Sequence, residues 1–316
     1  MLRTKRNSER VGLVKINSLK REQNKRFNIK KEITAWLFMI PMLLILYFII
    51  VRPQINGIYL SFFKLQGYTP VKFAGFDNYI KVLKDKDFIP TLWNTIKYVL
   101  WSLAIGYPIP VILAFLINEM VHFKNAFKMA IYLPSVLPAV VFMLLWTMMY
   151  NPGETGFFNI ILGKIGLAPY IWLNDGRFTI LGLILSMTWH GAGGSMLLYY
   201  AVLQSIPLEL YEAATTDGAG PLRKFIHISL PQISGMLLLS LIQQIISVFQ
   251  VLQQPMVMTG GGPNGASNSL AYLAYKYGFV SGRVGNALAL GTVMFIILIF
   301  ATIFYFRLQK RVEDNY

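Results

Sequence analysis

The sequence contains no cysteine and unusually little charge. Without cysteine, none of the 316 residues can contribute to a disulfide framework or a thiolate metal site. Only 14% of the residues are charged, and 55% are hydrophobic, whereas a soluble domain carries about 25% charged residues. This shortage of charge argues against an ordinary soluble domain and indicates a chain that lies mostly in lipid.

Acidic residues are missing from every long apolar run. All fourteen Asp and Glu lie outside these runs; Glu32 directly precedes the first run, and Glu119 lies just past the end of the second. A carrier driven by protons or sodium needs carboxylates at membrane depth, so this absence argues against such a carrier. The phosphate-binding pattern G-x-x-x-x-G-K-[ST] is absent too, because neither Gly163-Lys164-Ile165 nor the glycines at 260–262 complete it. A transporter built this way must take its energy from a partner.

Six apolar runs are long enough to cross about 30 Å of hydrocarbon. They cover residues 33–51, 98–117, 129–150, 180–203, 233–258 and 287–306. The first is too long for a cleavable signal peptide, and no small-residue cleavage site follows it. We therefore predict an all-α polytopic membrane protein with six transmembrane helices. Prolines within or beside the runs should bend their helices; these are Pro41, Pro108, Pro110, Pro134 and Pro138.

Much of the net charge of +15 is concentrated at the N-terminus, where residues 1–31 hold eleven Lys or Arg against two Glu. A basic arm beside an apolar segment attracts anionic membrane lipid and favours a cytoplasmic terminus. Phe27 is its one aromatic residue, so the arm does not resemble a nucleic-acid-binding segment, and we expect no nucleic-acid partner. The predicted organisation is a cytoplasmic arm (1–32), a six-helix membrane domain (33–307) and a cytoplasmic tail (308–316).

A polar segment of 26 residues, 206–231, separates the fourth and fifth apolar runs. Pro207 and Pro221 each suit the first turn of a short helix, where the missing N–H is harmless. Gly218 and Gly220 provide the permissive backbone that ends one helix before the next begins. We call this segment the elbow and predict two short helices at an angle. With six crossings it lies in the cytoplasm.

Seven residues of the elbow match a known signature at fixed spacing: Glu212, Ala213, Ala214, Gly218, Ile228, Leu230 and Pro231. This pattern resembles the EAA motif of the membrane subunits of binding-protein-dependent ABC importers. The resemblance implies the type I permease fold and makes the elbow a coupling helix that docks into a cleft on an ATPase. It implies that Glu212 forms a polar contact there, that the alanines allow close approach, and that Gly218 shapes the turn.

Short phrases outside the elbow, FDNY, NPG, WLND and TGGGP, resemble the carbohydrate-uptake, maltose-type branch of these permeases, and the likeness extends over residues 35–310. It implies uptake of a carbohydrate, an oligosaccharide, across the bacterial cytoplasmic membrane. The implied partners are an extracytoplasmic solute-binding protein, a second related permease that makes a heterodimer, and two copies of an ATPase. ATP and Mg²⁺ would be bound by the ATPase, so no cofactor is expected in this chain, which is a transport subunit and not an enzyme.

A polar stripe marks the fifth run. Four of its residues fall within about 60° of one another on an ideal helix: Gln243, Ser247, Gln250 and Gln254. Ser240 joins that side, and Gln244 and Gln253 flank it. Because unpartnered amides are costly in hydrocarbon, the stripe should face the protein interior or a water-filled path. It either lines a substrate pathway, where amides and hydroxyls suit sugar hydroxyls, or bonds neighbouring helices.

The fourth run contains three glycines within the stretch WHGAGGS, residues 189–195. The glycines allow either close helix packing or a local unwinding that exposes carbonyls to a ligand, which makes Trp189 and His190 pathway candidates. The simpler interpretation of His190 is a hydrogen bond to a neighbouring helix. His122 and His227 lie in polar loops, so no metal site is predicted.

Three other functions were weighed. A membrane-embedded glycosyltransferase needs paired carboxylates near the membrane surface, but Asp85 and Asp87 are flanked by lysine and indicate a solvated helix face. A passive channel or receptor would not need the elbow. An ABC permease for amino acids, phosphate or metal remains open, although the outer-loop phrases favour carbohydrate.

Overall fold

The computed structural model describes residues 29–313. Residues 1–28 of the predicted basic arm and residues 314–316 of the predicted tail lie outside that range. Four helices are long and apolar enough to cross a membrane: Trp36–Leu60, Phe88–Glu119, Thr179–Leu203 and Val284–Arg307. Their backbone hydrogen bonds are made within each helix, as hydrocarbon requires.

Two further candidate spans are bent pairs of helices. Lys124–Val136 and Ala139–Met149 meet at 97°, and Pro221–Gln232 and Ser234–Phe249 meet at 75°. Counting each pair as one span gives the six that the sequence predicts. The first break lies where Pro138 follows the extended residue Leu137, and a proline can neither donate to the preceding turn nor fit inside it.

The first helical run is longer than its apolar stretch. It comprises Ile29–Ile45, a π-helical turn at Leu46–Val51, and Arg52–Leu60. The prediction ended this span at residue 51, before Arg52 and Pro53. The helix continues because Pro53 is the second residue of the segment Arg52–Leu60 that follows the π turn, a position in the first turn where a missing N–H is tolerated. No side chain from Trp36 to Gly57 is buried.

A β-hairpin and a short helix follow this run. Strands Phe63–Gln66 and Thr69–Phe73 pair antiparallel, with Lys64 opposite Lys72. Helix Asp77–Leu83 comes next. The hairpin was not predicted; it is the one sheet within residues 29–313, and the predicted helical membrane fold is otherwise confirmed.

The second span begins ten residues before its predicted start at 98. It comprises Phe88–Trp101, a π turn at Ser102–Gly106 and Pro108–Glu119. Residues 88–97 were not predicted to belong to the span, because their polar side chains lower the local hydropathy. In the structure, polar side chains of this helix bond to another part of the protein: Asn94 donates to Gly265 O at 2.9 Å, and Tyr98 donates to Ser267 O at 2.9 Å.

The fifth apolar run is not one helix. Helix Ser234–Phe249 ends because the backbone of the next residue, Gln250, is no longer helical (φ −97°, ψ 16°). A π turn follows at Pro255–Thr259. The Val251 carbonyl, freed by this break, accepts a 2.5 Å hydrogen bond from Ser269. The prediction that Gln250 and Gln254 share a helix face with Gln243 is therefore wrong.

The remaining elements are four short ones in loops, followed by the helix of the last span. They are Phe157–Lys164, a 3₁₀ turn at Trp172–Asn174, Leu270–Tyr275, a π turn at Lys276–Val280, and Val284–Glu313. The elbow contains helices Leu208–Thr216 and Pro221–Lys224, a π turn at Phe225–Ser229, and Leu230–Gln232.

Contacts distinguish the two ends of the bundle. Gln204 donates to Asn118 Oδ1 at 2.5 Å, so the second and fourth spans run parallel and both end at the elbow side. One buried cluster, which includes Ile117, Leu203 and Ile233, packs there. Two other clusters fill the opposite end, which we call the hairpin side.

Gly193 sets the closest helix crossing of the fourth span. A Cβ atom at this position would lie 2.4 Å from Ile131 O and 2.7 Å from Tyr132 Cα. The fourth span is a continuous helix from Thr179 to Leu203. Close packing therefore explains Gly193, and the alternative of a local unwinding is not observed.

Gly193→Ala should destabilise the fold because backbone atoms of the facing helix cannot move aside as a side chain can. Overpacking of this kind costs about 1–3 kcal/mol, which lowers the melting temperature by about 2–4 °C per kcal/mol. Gly194→Ala is the matched control, because its Cβ would meet nothing within 4 Å, and it should leave stability unchanged or slightly raised. Thermal unfolding of the purified protein in detergent measures both; equal melting temperatures would contradict the packing role.

Candidate functional site

The turn of the elbow explains the need for glycine at 218. Gly218 has φ +75°, a left-handed conformation that disfavours other residues. Its N–H donates to Thr215 O at 3.0 Å, and the Ala219 N–H donates to Ala214 O at 2.8 Å. These two bonds form a Schellman motif, which ends helix Leu208–Thr216 and reverses the chain.

Two contacts fix the elbow in place, one within the elbow and one between the elbow and the bundle. The Tyr211 hydroxyl lies 2.9 Å from Ser229 Oγ, which is fully buried. The Phe225 ring packs on Phe115 of the second span, with ring centroids 4.7 Å apart. The first elbow helix is thus held by the second, and the second by the membrane helices.

The signature residues lie on the accessible parts of the elbow. Glu212, Ala213, Gly218 and Pro231 are exposed, and Ala214, Ile228 and Leu230 are half-buried. Glu212 and Ala213 directly follow the anchored Tyr211 and are accessible to a partner protein. Their contact with an ATPase remains a prediction.

A cavity of about 360 Å³ lies between the second, fourth and fifth spans. Its polar lining comprises Tyr107, Ser195, Tyr199, Ser240, Gln243, Gln244 and Ser247. A smaller cavity of about 170 Å³ adjoins it and shares Gly106, Pro110, Ser195, Gln244 and Ser247. The residues that line the two cavities include no Asp, Glu, Lys, Arg or His.

Part of this polar lining is held in place by hydrogen bonds between spans. The Tyr199 hydroxyl donates to Ser240 Oγ at 2.8 Å, and the Tyr107 hydroxyl donates to Leu237 O at 2.6 Å. Both bonds join the fifth span to a neighbour. The helix-bonding role that we considered for the stripe therefore falls to Ser240, whereas Gln243 and Ser247 face the cavity. Passage of substrate along them remains a prediction.

The other four pathway candidates lie elsewhere. Gln250 and Gln254 follow the end of the helix and line neither cavity. Trp189 is partly exposed and packs edge-on against Trp146, with ring centroids 5.7 Å apart. His190 Nε2 lies 3.0 Å from Leu137 O, and its ring stacks on Phe142 at 3.9 Å. The bond to Leu137, which occupies a carbonyl at the helix break, matches the simpler interpretation of His190.

Sequence reasoning missed three polar residues that line the larger cavity, namely Tyr107, Ser195 and Tyr199. A usable signal was present in the fourth span, where small or hydroxyl residues recur at helical spacing: Thr188, Gly191, Ala192, Ser195 and Tyr199. All five line one or both cavities. The glycines drew attention to packing, but Gly193 faces the third span and Gly191 faces the cavity.

The long loop before the fourth span, residues 150–178, is built around one amide. Asn159 Oδ1 accepts from Tyr170 N at 3.0 Å and from Trp172 Nε1 at 2.7 Å. The Arg177 guanidinium and the Tyr170 hydroxyl hold the pKa of Asp175 well below its usual range. Asp175 is therefore a fixed charge near neutral pH, with a structural role in the loop. Among residues 29–313, no group of three or more His, Asp or Glu could hold a metal ion.

Comparison with known proteins identifies the family. Residues 106–314 match the model of the binding-protein-dependent transport system inner membrane component, and the match covers more than half of the chain. The chain belongs to this family. It is thus a membrane-spanning transport component, and not an enzyme.

Relatives of this family member match most of its length. It is 33% identical over 291 residues to the probable ABC transporter permease protein YurN of Bacillus subtilis, a match that covers 90% of this chain and 99% of YurN. It is 31% identical to the arabinooligosaccharides transport system permease protein AraP of the same organism, over 88% of this chain and 89% of AraP.

A solved structure shows the same fold. One chain of the bacterial alginate ABC transporter, in complex with its alginate pentasaccharide-bound periplasmic protein, matches with a TM-score of 0.79 and 24% identity. The match covers 90% of this chain and 96% of that one. The type I permease fold that the sequence implied is confirmed.

Gln243→Leu should slow transport by this permease. It removes one polar partner from the cavity wall, and one neutral hydrogen bond is worth about 0.5–1.5 kcal/mol, which corresponds to about a two- to tenfold loss of uptake. Gln253→Leu is the control, since it makes the same change at an exposed amide that lines neither cavity. The measurement is uptake by proteoliposomes of the solute that the binding protein delivers. Equal rates for both variants, with normal assembly, would contradict a pathway role for Gln243.

Proposed function

We propose that this chain is one permease subunit of an ATP-driven importer of neutral oligosaccharides. The observation that carries the proposal is the lining of the two adjoining cavities, which combines hydroxyls, amides and two tyrosines without an ionisable carboxylate or cation. Hydroxyls and amides both donate and accept hydrogen bonds, as sugar hydroxyls do. The names of AraP and of the trehalose/maltose permease MalF of Thermococcus litoralis, 29% identical to this chain, support that class of cargo.

The energy would come from a partner ATPase that holds ATP and Mg²⁺ and docks on the elbow. Movement of the elbow would reach the cavity by two routes. The first passes through Phe225 and Phe115 into the second span, which carries Tyr107. The second passes through the bend at Ile233 into helix Ser234–Phe249, which carries Gln243 and Ser247.

The remaining partners follow from this assignment. An extracytoplasmic binding protein would deliver the sugar at the hairpin side, and a second, related permease would complete the pathway as a heterodimer. The elbow, Glu212 and both termini would lie in the cytoplasm. The excess of basic residues in the N-terminal arm supports that orientation.

One relative favours a second candidate cargo. The sn-glycerol-3-phosphate permease UgpA of Escherichia coli is 29% identical to this chain. A phosphate ester needs Lys or Arg along its path, and the residues lining the two cavities include neither. This lining favours an uncharged cargo for the present chain.

Transport assays with the whole importer in proteoliposomes test the cargo. Neutral oligosaccharides of arabinose or glucose should be taken up with ATP hydrolysis, and unlabelled oligosaccharide should compete. Glycerol 3-phosphate should neither enter nor compete, because desolvating its charge opposite neutral groups is costly. Uptake of glycerol 3-phosphate without uptake of any neutral sugar would contradict the proposal.

Glu212→Ala should uncouple transport from the ATPase. A hydrogen bond to a charged group is worth about 1.5–3 kcal/mol, so loss of the Glu212 contact should lower uptake about 10- to 100-fold. Glu209→Ala is the matched control, because Glu209 is an exposed glutamate on the same helix but outside the signature.

Uptake and binding-protein-stimulated ATP hydrolysis are measured together for the two variants, with co-purification of the ATPase. Loss of both activities in Glu212→Ala alone is the expected result. If Glu212→Ala transports normally, the elbow is not the coupling site, even if the cargo assignment holds.

A further inference from the structure

The second span contains a break whose backbone hydrogen bonds are incomplete. Its two helices, Phe88–Trp101 and Pro108–Glu119, are joined by the π turn Ser102–Gly106. This turn lies at the middle of the span, and π turns inside helices are frequent at functional sites. The function proposed above uses the side chains around the two cavities and gives this backbone no role.

The carbonyls of residues 103–106 must find their hydrogen bonds among the N–H groups that follow them. The Tyr107 N–H is already used, because it donates to Ser102 O at 2.8 Å. The Val111 N–H is used as well, because it makes the first bond of the next helix, to the carbonyl of the N-cap residue Tyr107.

Two prolines remove most of the remaining donors. Pro108 and Pro110 have no N–H, so the N–H of Ile109 is the one left for the four carbonyls of residues 103–106. With one N–H for four carbonyls, three carbonyls have no donor in their own helix. Unpaired carbonyls at membrane depth are costly unless they face protein donors, water or a ligand.

Gly106 brings this backbone to the cavities. It lines both of them, and because glycine has no side chain, it lines them with backbone atoms alone. Pro110 lies four residues later, so the Gly106 carbonyl lacks the N–H that would pair with it in an α-helix. It is therefore an acceptor beside a polar cavity.

Two polar side chains converge on the same glycine. A Cβ atom at Gly106 would lie 3.2 Å from Thr188 Oγ1 and 3.3 Å from Gln244 Nε2. Both side chains line the smaller cavity, and neither forms a hydrogen bond within residues 29–313. A hydroxyl and an amide can each donate or accept. Together with the carbonyl, they provide three free polar groups at one place.

We propose that the Gly106 carbonyl accepts a hydrogen bond from a hydroxyl of the transported sugar, with Thr188 and Gln244 beside it. The inference rests on the function proposed above and names the backbone group that holds the cargo. Sugar hydroxyls supply the donors that this acceptor lacks. A cation also attracts carbonyls, but it needs oxygen ligands on several sides, and no carboxylate lines either cavity.

Pro110→Ala tests the acceptor, because it returns an N–H to the position that pairs with the Gly106 carbonyl in a helix. Uptake of a neutral oligosaccharide of arabinose or glucose by the whole importer in proteoliposomes should fall about two- to tenfold, as expected for one neutral hydrogen bond. Pro108→Ala is the matched control. It returns an N–H toward Ala104, and since neither residue lines a cavity, uptake should stay at the wild-type rate.

Monodeoxy analogues of the transported oligosaccharide separate the acceptor from the shape of the proline ring. For each analogue, the rate of Pro110→Ala is divided by the wild-type rate, so that delivery by the binding protein cancels. The ratio should return to one for the analogue that lacks the bound hydroxyl and stay low for the others. An equally low ratio for every analogue would mean a steric effect of the ring and would overturn the proposal.

A labelled wild-type sample provides a test that does not depend on how the variants fold. Glycine labelled with ¹³C at the carbonyl and tyrosine labelled with ¹⁵N together mark Gly–Tyr peptide bonds, of which the sequence has two, Gly67-Tyr68 and Gly106-Tyr107. In NMR spectra of the assembled importer in lipid, sugar should move the Gly106 carbonyl signal downfield. Gly67, in the turn of the hairpin, provides the reference signal. A Gly106 signal that does not move would contradict the proposal.

The outcomes distinguish this inference from the function on which it rests. If the wild-type importer takes up no neutral oligosaccharide, the proposed function is wrong and the carbonyl site is wrong with it. If sugar is taken up equally by Pro110→Ala and Pro108→Ala, the carbonyl site alone is wrong. A requirement of uptake for Na⁺ that Pro110→Ala abolishes would assign the carbonyls to a cation and overturn the sugar contact.

Discussion

Polar groups in hydrocarbon must find partners inside the protein, and this constraint determines how the bundle is built. At the break in the third span, the Leu137 carbonyl lies 3.0 Å from His190 Nε2. The same constraint joins the spans around the larger cavity, where Tyr199 donates to Ser240. Polar side chains that are not used in this way, such as Gln243 and Ser247, line a space large enough for solute.

This arrangement also joins the elbow to the helices that line the cavity. The elbow is not a free loop, since Tyr211 meets the buried Ser229 and Phe225 packs on Phe115. The bend at Ile233, a residue 1% exposed, joins the elbow directly to the helix that carries the polar stripe. The elbow is therefore joined to the cavity wall by packed side chains and by a continuous backbone.

The sequence predicted the parts whose signals are local. Apolar runs located six spans, and proline and glycine spacing located the elbow, because span length and turn chemistry depend on neighbouring residues. The β-hairpin at 63–73 was missed because its strands are only four and five residues long, although Phe63–Gln66 alternates apolar and polar residues. The predicted start of the second span was ten residues too late. Hydropathy counts Asn94 and Tyr98 as polar and contains no information about their hydrogen bonds to the loop at 265–267.

For the candidate site, the sequence by itself determined the residue types and the signature of the elbow, including the glycine at 218 that a left-handed turn requires. Only the tertiary structure decided which polar residues line the same cavity. Helical periodicity grouped Gln250 and Gln254 with Gln243, but the helix ends at Phe249, where Ser269 occupies the Val251 carbonyl. Tyr107 of the second span and Ser195 and Tyr199 of the fourth span line the cavity together with Gln243. Contacts between distant segments carry no periodic signal along the chain, so the fold alone could bring these residues together.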